Sequence, residues 1–173
     1  MRNYFCVGLL NPKFNVNIGS ALRACGNFNA ACLIISGRRY KKSATDTSYH
    51  YRHMPLFHVE NLHKSIPYDC VPVAVDIIPG ARSLLQYTHP ERAFYIFGPE
   101  DGTLGKSITS WCRDIIYVPT NQCMNLAGTI HVILYDRLLK QSKDTYDTTR
   151  ISSNCSKNDM FICPTLSNKR NVK

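Results

Sequence analysis

Short, continuously apolar runs alternate with stretches whose apolar positions recur every three or four residues. Residues 4–10 (YFCVGLL) read as a buried strand stopped by Asn11-Pro12. In the next segment Ile18, Ala21, Leu22 and Cys25 fall at helical spacing, the stripe of a helix packed on a core. Asn15 or Asn17 is placed to cap its start, and Gly26-Asn27 to end it. Further strands are predicted over residues 31–36, 71–78, 93–97 and 114–118, with a short helix near 59–65. Leu126, Ile130, Ile133, Leu134 and Leu138 share one side of a helix running from Leu126 to about Lys140, with Asn125 as its cap. Such apolar strands alternating with helices predict an α/β fold: a mostly parallel sheet with helices on both faces.

After Gln141 the pattern ends, and Ser, Thr, Asn, Asp and Lys dominate. The reading is therefore a domain over residues 1–142 and a polar tail over 143–173, flexible or docked only locally. The chain has 173 residues, enough for one such domain, and 44% of them are hydrophobic. Its net charge of +9 is unevenly spread. Residues 1–45 hold seven basic and no acidic side chains, whereas the remainder holds fourteen basic and twelve acidic ones. A one-sided basic surface suits a polyanion, nucleic acid or an acidic membrane, although charge alone is equally compatible with simple solubility.

No apolar run approaches the roughly 18 residues of a membrane span, and the apolar stretch at the N-terminus is too short for a secretion signal. A cytoplasmic, reducing location is the expectation. The eight cysteines, Cys6, Cys25, Cys32, Cys70, Cys112, Cys123, Cys155 and Cys163, show neither a CxxC pair nor zinc spacing and read as reduced thiols. His50, His53, His58 and His63 lack a matching Cys or carboxylate cluster. They read as surface or RNA-facing side chains, and no metal is expected.

Ligands of open parallel sheets bind beyond the carboxyl ends of the strands, and three such ends carry unusual residues. In NPKFNVNIGSALR, Gly19 and Arg23 share a helix face, and the arginine sits on an otherwise apolar helix. In FGPEDGTLG (97–105), Gly98, Gly102 and Gly105 permit a tight loop with exposed amides. Glu100 and Asp101 would repel phosphate there but suit a ligand with a positive centre or ribose hydroxyls. In VPTNQCMNLAG, Asn121, Gln122 and Asn125 lie between a strand end and a helix start, where free N–H donors collect.

In order and spacing these motifs resemble those of the SPOUT superfamily, in particular its SpoU/TrmH-like RNA ribose 2′-O-methyltransferases. NxGxxxR corresponds to Asn17, Gly19 and Arg23. A strand ending in FGxE corresponds to Phe97, Gly98 and Glu100. A V-P followed by an SMNL-like segment corresponds to Val118, Pro119, Met124, Asn125 and Leu126, with Cys123 in the place of the serine. The resemblance covers residues 3 to about 140, and the form is that of the short single-domain TrmL-type tRNA enzymes. It implies a C-terminal deep trefoil knot, a homodimer, and S-adenosyl-L-methionine as cofactor. It places Asp76, Gly98, Val118, Cys123, Met124 and Leu126 at the cofactor. Arg23, Asn17, Glu100 and Asn125 would form the catalytic set, with Arg23 holding the target phosphate and the other three orienting it, the loop and the substrate. Arg38, Arg39, Tyr40, Lys41 and Lys42 would grip RNA, tRNA being the expected class. The rival readings are a non-catalytic RNA-binding protein on the same scaffold, a subunit active only with a partner, and a methyltransferase acting on a base or a protein.

Overall fold

The computed structural model describes residues 4–40, 52 and 54–141. Seven strands form one sheet: β1 (Tyr4–Leu10), β2 (Leu33–Ser36), β3 (Leu56–Val59), β4 (Val71–Val75), β5 (Arg82–Ser83), β6 (Arg92–Phe97) and β7 (Asp114–Tyr117). Their order is β3-β2-β1-β6-β4-β7-β5, and every pairing is parallel. This order is compatible with the knotted threading that the family resemblance implies.

Alternation along each strand separates two apolar layers. Val7, Leu9, Ile35, Val73, Tyr95 and Phe97 face one side, where α1 (Asn15–Asn27) and α3 (Leu126–Gln141) pack on them and on each other. Cys6, Ile34, Ala74, Phe94 and Ile96 face the other side. The cover there is thin: Leu62, Leu104, Ile108 and Trp111 come from a 3-10 turn (His63–Ser65) and the single-turn α2 (Lys106–Thr109) with their flanks.

The C-terminal half of α3 is fastened to the segment before β6 by buried polar groups. The buried Arg137 guanidinium donates to Pro90 O (2.7 Å), Glu91 O (2.7 Å) and the Tyr95 hydroxyl (2.9 Å). His89 Nδ1 lies 2.6 Å from that hydroxyl and Nε2 2.8 Å from Asp136 Oδ2. One protonation pattern satisfies all of these contacts. Arg137 donates to Tyr95, Tyr95 O–H donates to Nδ1, and Nε2–H donates to Asp136. His89 is then neutral despite its acidic neighbour, in agreement with burial holding its pKa below the ordinary value.

Most predicted elements are present, and five differ in type, cap or length. The segment near 59–65 forms β3 and a 3-10 turn rather than a helix. Neither Asn15 nor Asn17 caps α1: Phe14 holds the cap position without a side-chain bond, and both asparagines lie inside the helix. Strands β2, β4 and β7 are one to three residues shorter than predicted. Asn125 does cap α3, its Oδ1 accepting from the Ala127 amide at 2.9 Å. The six cysteines among the described residues are free, including Cys6 and Cys32, whose sulfurs lie 3.1 Å apart. No helix among the described residues is long and apolar enough to cross a membrane. Lys41, Lys42, His50, His53 and the predicted tail lie outside the described residues.

Candidate functional site

A parallel sheet gathers its strand ends on one edge. At the ends of β4, β6 and β7 lies a cavity of about 240 Å³. The three segments that line it are 75–77, 97–103 and 117–129. All six residues expected at a cofactor are in its wall: Asp76, Gly98, Val118, Cys123, Met124 and Leu126. Val75, Phe97 and Tyr117 add apolar or aromatic surface, and Thr103, Thr120 and Thr129 add hydroxyls. Among the described residues the lining contains two carboxylates, Asp76 and Glu100, and no lysine or arginine. In a chain of net charge +9, that local sign is the site's clearest electrostatic feature.

The glycine loop is held from both sides. Asp76 Oδ2 accepts from the Leu104 amide (2.7 Å) and Oδ1 from the Ile77 amide (2.8 Å), so its carboxylate fastens the loop to the end of β4. Its backbone N–H is used in the sheet, donating to Ile116 O at 3.0 Å. Gly98 starts the loop where a Cβ would come 3.3 Å from the Leu104 nitrogen, too close for an easy fit. On the other side, Glu100 accepts from the Lys13 amide (2.7 Å), the Phe14 amide (3.4 Å) and Asn17 Nδ2 (2.6 Å). Partial burial pushes the Glu100 carboxyl up, but these bonds outweigh it and hold its pKa below the usual carboxylate range.

Asn17 is the joint of this network. Its side chain is buried, donates to Glu100, and accepts from Asn125 Nδ2 at 3.0 Å. Asn125 Oδ1 meanwhile holds the first turn of α3. Three residues from three separate motifs therefore form one chain of hydrogen bonds linking α1, the glycine loop and α3. Arg23, the fourth member of the expected catalytic set, is exposed on α1 and is not in the cavity wall.

Part of the basic segment also reaches the loop. Arg39 Nη1 pairs with both Asp101 oxygens (2.9 and 3.1 Å), and Lys13 Nζ lies 3.5 Å from Asp101 Oδ2. The Arg39 guanidinium holds the Asp101 pKa below its ordinary value. Arg38 is exposed, and Tyr40 packs its ring 5.2 Å from that of His58. The loop leaves β2 through Gly37 at φ +112°, where a Cβ would strike Asn11 Oδ1 at 2.6 Å.

Sequence reasoning missed the three threonines and the Arg39–Asp101 pairing. Thr129 sits one turn into α3 from Leu126, a spacing that could have drawn attention to it. Thr103 and the Arg39 pairing carry no local signal, because they depend on how distant loops meet.

The SpoU rRNA methylase family model matches residues 4–135. No curated protein matches the chain. Among solved structures, the SpoU methyltransferase AviRb from Streptomyces viridochromogenes, in complex with AdoMet, has a TM-score of 0.73 at 17% identity, covering 84% of this chain and 60% of that one. A structure described as giving insights into the 2-OH methylation of C/U34 on tRNA has a TM-score of 0.71 at 18% identity, covering 81% of this chain and 97% of that one. The TrmH/SpoU tRNA modifying enzyme of A. aeolicus has a TM-score of 0.72 at 15% identity, covering 91% and 83%. At such identities the likeness establishes a shared fold, and this chain spans 60% of the length of AviRb.

Proposed function

The chain belongs to the SpoU rRNA methylase family, and from that premise we propose that it transfers a methyl group from S-adenosylmethionine to a ribose 2′-hydroxyl of RNA, with tRNA as the substrate. The observation that carries the proposal is the cavity at the ends of β4, β6 and β7. Among the described residues it combines apolar walls, hydroxyls and two carboxylates with no basic side chain. That lining suits an adenosine with a cationic sulfur and disfavours a phosphate.

S-adenosylmethionine, when bound, supplies an already activated methyl group. Val118, Met124 and Leu126 would hold its apolar parts, and backbone at Gly98 and Cys123 its polar edge. Asp76 acts indirectly, by fixing the loop through the Leu104 amide. The chain's own contribution to the chemistry is to place a ribose hydroxyl in line and to favour loss of its proton. An arginine, with a pKa of about 12 or more, is a poor base but a good partner for a phosphate or a developing alkoxide. Arg23 takes that role. Because it lies on the exposed side of α1, it would meet a substrate laid over the surface, including one shared with a second copy in a homodimer. Asn17, Glu100 and Asn125 are positioning residues: they lock α1, the glycine loop and α3 in one arrangement.

Calorimetric titration with S-adenosylmethionine tests this reading. Saturable one-site binding, lost in Gly98→Val, is the expected outcome. Absence of binding would favour a non-catalytic RNA-binding protein, or a subunit that needs a partner.

A further inference from the structure

The face of the sheet opposite α1 and α3 carries an arrangement that the cavity does not use. The connection from β3 to β4 and the connection from β6 to β7 both cross that face. Where they meet, the rings of His63 and Trp111 stack, with centroids 4.7 Å apart and planes within 18°. The indole packs partly into the core beneath it and donates from Nε1 to Ser107 O at 2.8 Å, which fixes its plane. His63 lies on top and is exposed. Its turn is preformed, because Asn61 Oδ1 accepts from the amides of His63 (2.8 Å) and Lys64 (3.2 Å).

Residues 61–68 and 102–113 contain Lys64, Lys106 and Arg113 and no Asp or Glu. Of the acidic residues that bound these stretches, Asp69, Asp101 and Asp114 pair with Arg92, Arg39 and Arg82, and Glu60 is exposed. Lys64 beside His63 and Lys106 at the start of α2 are both exposed. Among the described residues, the exposed large hydrophobic side chain in these two stretches is Tyr68, an aromatic ring; the exposed aliphatic ones, Val16, Ile77, Leu85 and Leu139, lie outside them. A rigid pair of stacked rings flanked by lysines matches a nucleobase with its phosphates rather than an apolar peptide.

We propose that His63 and Trp111 form a stacking subsite for an unpaired RNA base, with Lys64 and Lys106 meeting the adjoining phosphates. The subsite rests on the reading of the chain as an RNA-modifying enzyme and adds a second contact area, on the sheet face away from α1. It would engage a single-stranded part of the substrate while another part reaches the cavity.

Trp111 is the only tryptophan in the chain, so its emission reports directly on this position. The probe is a ten-nucleotide oligouridylate carrying one 5-bromouridine, used with the full chain. Titration quenches Trp111 emission, and irradiation cross-links the RNA to the peptides containing His63 or Trp111. Pairing the probe with oligoadenylate hides its bases and abolishes the cross-link. His63→Ala weakens binding about fivefold or more, the loss of one modest base–aromatic stack. Retention of the probe on a filter with unchanged Trp111 emission, and with cross-links only elsewhere, would overturn the subsite while leaving the proposed function standing. Failure to retain either the probe or tRNA would overturn both.

Discussion

Replacing Glu100 with alanine removes the acceptor at the centre of the site and tests whether the network is structural cement. Three donors lose their partner: the Lys13 and Phe14 amides and Asn17 Nδ2. The two amides lie at the exposed start of α1 and turn to water at little cost. Asn17 is only 5% exposed, so its freed N–H has no such replacement. A hydrogen bond to a charged group contributes about 1.5–3 kcal/mol, and an orphaned buried donor costs about 1–3 kcal/mol. These two figures describe largely the same loss, so the expected destabilisation is about 1.5–3 kcal/mol. Urea unfolding followed by Trp111 emission measures it. The effect should also depend on pH. A carboxyl whose pKa is depressed in the folded state stabilises the fold above its ordinary value of 4.5 and loses that contribution as pH falls through the lower folded value. Wild type and Glu100→Ala should therefore differ fully at pH 7 and converge in strong acid. A loss below about 0.5 kcal/mol, the level of an ordinary surface substitution, would refute the reasoning, as would a difference that stays constant from neutral to strongly acidic pH.

Arg23→Ala should abolish methyl transfer while leaving S-adenosylmethionine affinity unchanged, measured by radiolabel transfer and calorimetry; near-normal turnover would reject its role. Cys123 is exposed in the cavity wall, so bound S-adenosylmethionine should protect it from alkylation in peptide-resolved labelling, with no such protection if the cofactor binds elsewhere. His89→Phe removes the contacts to Tyr95 and Asp136 and should cost about 1–3 kcal/mol at neutral pH. Because burial lowers the His89 pKa, its contribution is present above the ordinary value of 6.5 and declines below it. The variant should lack that decline in unfolding experiments between pH 7 and 5.

The central strands and the two long helices were legible because burial on both faces leaves continuous apolar runs, and packing on one face leaves a helical stripe. β3 escaped notice because LFHV is short, and at an edge its residues are half exposed. β5 has two residues, too few to carry a pattern. In the site, the glycine loop and the Asn125 cap could be read from local chemistry. The buried Asn17 could not be so read, since an asparagine inside a helix looks like a cap until Glu100, 83 positions away, is seen to accept its N–H. The asymmetry of charge has a matching form in the fold. Among the described residues, Arg39 and Lys13 of the basic N-terminal segment pair with Asp101 of the acidic glycine loop, and the cavity wall carries no positive side chain.

The most direct test of the account is to incubate the purified chain with S-adenosylmethionine carrying a labelled methyl group and unmodified tRNA, then digest the RNA to nucleosides and identify the labelled product. The account predicts label in a 2′-O-methylated nucleoside, absent with Arg23→Ala. Label on a base, or none while the cofactor binds, would contradict it.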